Sequence, residues 1–302
     1  RRQRQMCIRD RCYLARWMQR ASLTLVFALL FGAQAASAEE SEPAEAPGSP
    51  AVYASPKDDE SWKQDVLVAL IGGGARMRWM RLEVGDGAGG TEPRSLDTGT
   101  YFDFVWHLLI RPLGHRSPRA TMRAMVLQID GGSGIGLSVE PAGSGITLNT
   151  TTWRMVGQFG YLYPKDRAQF GGLVGIGGDV LNIDLNSVLS SSRIVYARLG
   201  PAASYDLVGT FLTIRGDFGL RFPFHLGELA NAFGKDTRTL GLDSLLTFQG
   251  RLKAGFTYAA RLSWEYYRFW FAGPVDNVPA MGGGGDGHDH AFTVQLLVGW
   301  SL

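Results

Sequence analysis

Residues 291–302, A-F-T-V-Q-L-L-V-G-W-S-L, carry the pattern of an amphipathic β-strand. Successive side chains of an extended chain point to opposite faces, so every second residue from Phe292 to Leu302 shares one face. That face is apolar throughout, whereas the opposite face is polar or small except at Leu297. The stretch therefore predicts a strand that holds one face against an apolar medium.

Nine more segments between residue 65 and this stretch show strand patterning, which gives ten predicted strands. Most of them are long enough for the roughly 9 to 11 residues that a tilted strand needs to cross a membrane. Counts of eight or twelve strands also fit the pattern. The ten strands are predicted at residues 65–84, 98–112, 120–130, 147–163, 168–182, 193–207, 211–224, 244–256, 258–272 and 290–302.

The links between these strands alternate in length. The first, third, fifth, seventh and ninth links are long, and the other four are short. In membrane barrels the periplasmic turns are short and the outer loops are long, so both ends of the barrel domain are expected on the short-link side. The long links are predicted near residues 85–97, 131–146, 183–192, 225–243 and 273–289.

The side chains of the predicted strands separate by polarity. In the second strand, Phe102, Phe104 and Trp106 lie opposite Asp103 and His107, and the seventh and eighth strands follow the same rule. Such alternation keeps the mean hydropathy near neutral, at −0.04, without a long apolar run in the strand region. Apolar side chains outside and polar ones inside are the reverse of a soluble barrel.

The pattern of the last strand and the alternation resemble the outer-membrane β-barrels of Gram-negative bacteria. That family usually ends on an aromatic residue, whereas this chain ends on Leu302 with Trp300 two places earlier. The resemblance implies an all-β fold, a transmembrane antiparallel up-and-down barrel of about ten strands, located in the outer membrane. It also implies outer-membrane lipid as surroundings and the barrel-assembly machinery as a partner of the C-terminal strand. It names no extracellular ligand.

Residues 1–38 are interpreted as an upstream extension followed by a secretory signal peptide. Arg20, an apolar run at residues 23–31 and A-S-A at 36–38 give its three parts, and the run is about half the length of a spanning helix. Residues 39–64, rich in Pro, Glu, Ala and Ser, are predicted to be a flexible periplasmic tail, and residues 65–302 the barrel.

The basic charge of the chain lies in its first 38 residues. They hold seven Arg and one Asp out of 30 basic and 28 acidic residues, which leaves 23 basic and 27 acidic residues in the remainder. No nucleic-acid partner is therefore predicted. Both cysteines, Cys7 and Cys12, also lie in this prefix, so the barrel is expected to hold together without disulfides.

The charged residues that alternate with the apolar face are predicted to line the lumen. A narrow ten-stranded lumen can be filled by side chains, which favours a non-enzymatic structural or binding barrel with a plugged interior. The excess of basic residues leaves a small anion-favouring pore as the alternative. These residues are Arg76, Arg78, Asp103, Arg154, Asp179, Arg198, Arg215, Asp217, Arg221, Arg251, Lys253, Arg261 and Glu265.

A more specific expectation concerns how three of these charges are arranged. The predicted seventh, eighth and ninth strands are consecutive and therefore adjacent. Counting from the short links brings Asp217, Arg251 and Glu265 to similar heights. Arg251 is expected to lie between the two carboxylates in a charge cluster that plugs the barrel.

Aromatic residues near the ends of the strands are predicted to form interfacial girdles, as in membrane barrels. Some of the same residues could equally be core or loop aromatics. The predicted girdle residues are Trp79, Trp153, Tyr161, Tyr163, Tyr205, Trp264, Tyr266 and Trp300.

The histidines give weak indications of chemistry. A barrel hydrolase would need His107 or His225 beside a carboxylate or hydroxyl, and no motif joins either to a partner. In the ninth link, M-G-G-G-G-D-G-H-D-H, His288 and His290 are weak zinc or copper candidates because the glycine run predicts a solvated loop. No cofactor and no metal are predicted.

Overall fold

The computed structural model describes residues 65–85, 91–114, 123–139, 147–184, 190–208, 211–252, 255–274 and 282–302. The predicted extension, signal peptide and tail lie outside these residues, and so does Lys253. Within them, no helix is both long enough and apolar enough to cross a membrane.

The described chain is almost entirely β-structure. Its strands are β1 (Leu67–Gly85), β2 (Thr91–Ile110), β3 (Met125–Ile135), β4 (Ser138–Val139), β5 (Leu148–Lys165), β6 (Ala168–Ile183), β7 (Ser192–Val208), β8 (Leu212–His225), β9 (Arg238–Arg251), β10 (Phe256–Pro274) and β11 (Gly282–Ser301). One short helix, α1 (Glu228–Phe233), lies between β8 and β9.

The sheet closes on itself. Neighbouring strands pair antiparallel in chain order, β1 pairs with β11, and β3 pairs with β5. The two-residue β4 is attached to β5 beside the barrel wall, so ten strands form the barrel. The predicted all-β, ten-stranded, antiparallel up-and-down barrel is confirmed, and the alternatives of eight and twelve strands are excluded.

The C-terminal stretch closes the barrel between β1 and β10. Trp300 lies opposite Ala69 on one side and Phe256 on the other. Its apolar face is exposed, with Leu296 at 70%, whereas Leu297 on the other face is 1% exposed. An exposed apolar belt of this kind requires a lipid environment, because water would leave it unstable.

Several strands reach further toward the long-link end than predicted. β2 begins at Thr91 and β11 at Gly282, so most of the M-G-G-G-G-D-G-H-D-H stretch is strand, and the predicted loop is wrong. Continued antiparallel pairing satisfies backbone donors and acceptors that a loop would leave open. β3 is shifted toward the C-terminus, at Met125–Ile135. The predicted length alternation also fails, because residues 111–124 at the short-link end form a longer gap than 86–90.

The interior of the barrel has two apolar clusters as well as charges, so the expectation that polar side chains face inside describes only part of it. The inner apolar cluster, toward the short-link end, comprises Val68, Leu70, Val105, Leu109, Val126, Leu162, Leu173, Ala202, Ala259 and Leu297. The outer apolar cluster, toward the long-link end, comprises Met80, Leu82, Val84, Leu96, Tyr101, Leu137, Val139, Leu181, Ile183, Ile194, Tyr196, Leu226, Leu229, Phe233, Tyr267, Phe269 and Phe271.

Candidate functional site

The charged residues of the lumen occupy a layer between the two apolar clusters, which we call the charge layer. Along β1, Leu70 belongs to the inner cluster, Arg76 and Arg78 follow, and Met80 belongs to the outer cluster. β10 repeats this order from Ala259 through Glu265 to Tyr267 and Phe269. Alternation on each strand thus sets the same sequence of apolar, charged and apolar side chains.

Glu265 joins three arginines from three other strands. Its Oε2 accepts a hydrogen bond of 2.8 Å from Nη2 of Arg76 on β1. Its Oε1 lies 3.6 Å from Nη2 of Arg221 on β8 and 4.0 Å from Nε of Arg154 on β5. Glu265 and Arg76 are both buried, at 7% and 4% exposure. These contacts link non-neighbouring strands across the interior of the barrel.

Arg221 is the second junction of the charge layer. Its Nε donates to Asp243 over 2.6 Å, and its Nη1 donates to Asp179 over 3.0 Å and to the hydroxyl of Tyr267 over 2.9 Å. The guanidinium carbon lies 4.5 Å from the centroid of the Tyr196 ring, a cation–π distance. Three of its five N–H donors thus meet acceptors, and Nη2 lies 3.6 Å from Glu265, which compensates the charge of the buried guanidinium.

The remaining pairs extend the layer around the wall. Arg198 and Arg221 share Asp243, and Arg154 makes a bidentate contact with Asp103 at 3.0 and 2.6 Å. Bidentate pairs are stronger and more directional than single contacts. The other ion pairs are Arg78–Asp289, Arg215–Asp217 and Arg261–Asp130.

The charges of this layer balance. Among the described residues, seven arginines pair with seven carboxylates in the lumen. The predicted positive excess is therefore wrong, because Asp130, Asp243 and Asp289 had not been assigned to the interior. Lumenal amides extend the network: Gln128 accepts from Arg215 and donates to Asp130, and Gln158 accepts from Arg198.

Of the thirteen predicted lumenal charges, eleven lie in this layer. Nine are buried, while the side chains of Arg154 and Arg215 are 17% and 14% exposed. Lys253 lies outside the described residues.

Arg251 does not join the charge layer. It is the last residue of β9, lies opposite Thr257 at the short-link end, and pairs with Asp65 while 38% of its side chain stays exposed. Glu265 lies opposite Asp243, eight residues further along the same pair of strands. The predicted arrangement of Arg251 between Asp217 and Glu265 is therefore wrong, because counting from the links could not give the register.

A small cavity remains within the charge layer. Its volume is about 80 Å³, and its walls include Gln128, Arg154, Asp217, Arg261 and Gln295. A water molecule takes up about 30 Å³ in the liquid, so the cavity has room for a few waters among polar partners.

His107 has a carboxylate partner that the sequence did not indicate. Its Nδ1 lies 2.7 Å from Oδ1 of Asp130, which also accepts from Arg261 over 2.8 Å. His107 is 7% exposed, and its carboxylate is already neutralised by an arginine. The pair therefore belongs to the charge layer. His225 lies apart from it, exposed at the end of β8.

The four acidic and histidine residues of the predicted metal candidate are divided between two faces of β11. Asp289 is buried and pairs with Arg78. The Nδ1 of His288 lies 2.7 Å from the hydroxyl of Tyr266, and His290 stacks on Trp79 with ring centroids 5.3 Å apart. Within the described ranges, no three His, Cys, Asp or Glu side chains are grouped to hold a metal ion.

The predicted girdle residues lie on the outer face at both ends of the strands. Tyr161, Tyr205 and Trp300 lie toward the short-link end, at 41%, 50% and 54% exposure. Trp79, Trp264 and Tyr266 surround His290 at the other end. The other two, Trp153 and Tyr163, are partly exposed on β5, where Tyr163 contacts Phe170.

Comparisons with known proteins return only structural likenesses. No protein-family model and no curated protein matches the chain. Among solved structures, the outer membrane protease OmpT from Escherichia coli is 9% identical with a TM-score of 0.46, covering 78% of this chain and 96% of that one. An outer membrane channel from Pseudomonas putida F1 is 12% identical with a TM-score of 0.39, covering 81% and 99%.

A third likeness is to a Pseudomonas aeruginosa FadL homologue, which is 6% identical with a TM-score of 0.29, covering 79% of this chain and 91% of that one. At these identities and scores, we infer function from the described residues alone. A closed barrel with an exposed apolar belt is stable only in lipid. The described residues therefore have the fold of a transmembrane β-barrel.

Proposed function

We propose that this protein is a non-enzymatic outer-membrane barrel with a plugged lumen, which serves as a structural or binding element of the envelope. The observation that carries the proposal is the charge layer, in which Glu265 and Arg261 of β10 reach across the interior to Arg154 of β5 and Asp130 of β3. A pore at this height would have to separate these pairs.

Separating the pairs is energetically expensive. Removing one member of a buried ion pair typically costs about 3 to 5 kcal/mol, because the other charge is left without compensation. Asp243 illustrates the constraint, since it is 5% exposed and holds both Arg198 and Arg221. The neutral balance of the layer also removes the field that an anion-favouring pore would need.

The outer apolar cluster adds a second barrier on the long-link side. Ile194 and Phe269 within it are fully buried, and Leu229 of α1 is 1% exposed. An ion that entered here would lose its hydration shell, and the apolar side chains could not replace it, which is strongly unfavourable. Open aqueous channels belong to barrels of about 16 strands, whereas small barrels are filled by their own side chains.

Liposome swelling tests this proposal. Proteoliposomes that contain the refolded protein should swell in an isotonic sugar solution no faster than protein-free liposomes. A 16-stranded porin is the positive control, and heat-modifiable migration on a gel verifies that the protein has folded. Swelling at a porin-like rate would contradict a plugged lumen, and an anion-selective reversal potential in the same membranes would then favour the small pore.

A further inference from the structure

The outer wall of strands β1, β11 and β10 carries three successive rows of side chains near the long-link end. Cross-strand registers define them, since each β11 residue lies opposite one residue of β1 and one of β10. The first row is Met77, Phe292 and Trp264. The second row is Trp79, His290 and Tyr266. The third row is Arg81, His288 and Arg268.

These rows face away from the lumen. The residues that alternate with them, Arg78, Asp289 and Tyr267, are 3–4% exposed inside the barrel. Met77 and Phe292 are 38% and 36% exposed. Side chains of a strand alternate between two faces, so the residues between the buried ones point outward.

From the apolar belt outward, the rows are apolar, then aromatic, then charged, which is the order of acyl chains, interface and headgroups in a lipid leaflet. Below the first row, β11 continues with Val294, Leu296 and Val298, exposed at 42%, 70% and 49% as part of the apolar belt. Above the belt comes an aromatic row, and rings with a polar edge prefer the boundary between acyl chains and headgroups. The third row thus lies where lipid headgroups begin.

The third row has the chemistry to hold an anion. Arg268 is fixed in place by Asp286 and His288, and its guanidinium carbon lies 5.6 Å from the ring centroid of Trp270. No ion pair joins Arg81 to another described residue, and Arg81 is exposed. The nearest outward carboxylates, Glu83 and Asp286, lie opposite each other in the next row, further from the apolar belt.

We propose that Arg81 and Arg268 bind the phosphate group of a phosphorylated lipid of the outer leaflet, with His288 orienting Arg268, while Trp79, His290 and Tyr266 contact the part of the lipid next to it. Guanidinium donors suit a tetrahedral phosphate, and charge-assisted hydrogen bonds are the strong ones. The site lies on the outside of the wall, so it does not depend on whether the lumen is closed.

The test is a titration of the full refolded chain in detergent with diphosphorylated lipid A, in which binding is monitored by tryptophan fluorescence. Wild type should bind the lipid saturably and should bind its dephosphorylated form at least tenfold more weakly. Arg81→Gln and Arg268→Gln should each weaken binding about fivefold, the factor given by about 1 kcal/mol for each basic residue near a membrane surface. Folding of each variant is checked by heat-modifiable migration.

Arg193→Gln is the matched control, because Arg193 is also exposed near the long-link end but lies on β7. Its affinity should equal that of wild type. Unchanged affinity of the double variant Arg81→Gln/Arg268→Gln, or equal binding of the dephosphorylated lipid, would overturn the proposal. Inorganic phosphate that binds as tightly as the lipid would also overturn it, since the site would then be one for free phosphate.

Discussion

Arg76 and Glu265 form an ion pair of 2.8 Å inside the barrel, although 189 residues separate them in the chain. They lie on β1 and β10, which are separated by β11, so the pair spans the strand that closes the barrel. Thr293 of β11 accepts a second hydrogen bond from Arg76 over 3.3 Å. The interior contact therefore reinforces the junction between the first and last strands.

Mutation of this pair should reveal strong coupling. Arg76→Met and Glu265→Gln are each expected to lower the free energy of unfolding by about 3 to 5 kcal/mol, because each leaves one buried charge without its closest partner. The double variant should lose less than the sum of the two. Urea unfolding in lipid vesicles gives the three values, and a coupling energy of zero would mean that the two charges are separately hydrated.

Arg251→Met should behave differently and serves as a comparison for Arg76→Met. Its partner Asp65 is 25% exposed, and exposed pairs contribute about 0 to 1 kcal/mol. Unfolding in urea should therefore give a change below about 1 kcal/mol. A loss as large as that of Arg76→Met would place Arg251 in the buried network after all.

Gly177→Ala tests the packing that supports Arg221. A Cβ at Gly177 would lie 2.5 Å from the ring of Tyr196, which in turn lies against the guanidinium of Arg221. Overpacking of this kind costs about 1 to 3 kcal/mol. Gly172→Ala on the same strand is the control, because the nearest atom there is 3.6 Å away. If both variants unfold at the same urea concentration, the ring does not occupy this space.

Cysteine labelling should report how far the charge layer is shielded from water. Both native cysteines lie in the first 38 residues, so a chain that begins at residue 39 has no thiol background. Gln295→Cys, at 5% exposure, should react with a charged maleimide about two orders of magnitude more slowly than Ser95→Cys, which is exposed on β2. Similar rates at the two positions would indicate a water-filled lumen.

The wall of the barrel could be predicted from the sequence because it depends on local alternation. Apolar and polar residues alternate with the period of a strand in β11. In the structure Phe292 and Val294 are exposed on the outer face, whereas Thr293 and Gln295 are buried on the inner face. Ten such segments followed from the same rule. The ends of the strands did not, since pairing with a neighbour extends a strand beyond its apolar part.

That error at the ends explains two of the three lumenal carboxylates that were missed, whereas the third, Asp130, lay within the predicted strand 120–130. Asp243 and Asp289 each lie one residue before the strand starts that were predicted at 244 and 290, so neither was assigned to the lumen. Both belong to longer strands, β9 and β11, and pair with lumenal arginines. The partner of Arg251 could not be predicted either, because register and shear depend on all ten strands together.

Single-channel recording in a planar lipid bilayer tests the plugged lumen most directly. Protein that has folded, judged by heat-modifiable migration, is added at increasing amounts in concentrated KCl, with a 16-stranded porin as the positive control. The charge layer and the two apolar clusters predict a baseline without discrete conductance steps under conditions where the porin inserts repeatedly. A steady, reproducible step from the wild-type protein would contradict a closed interior.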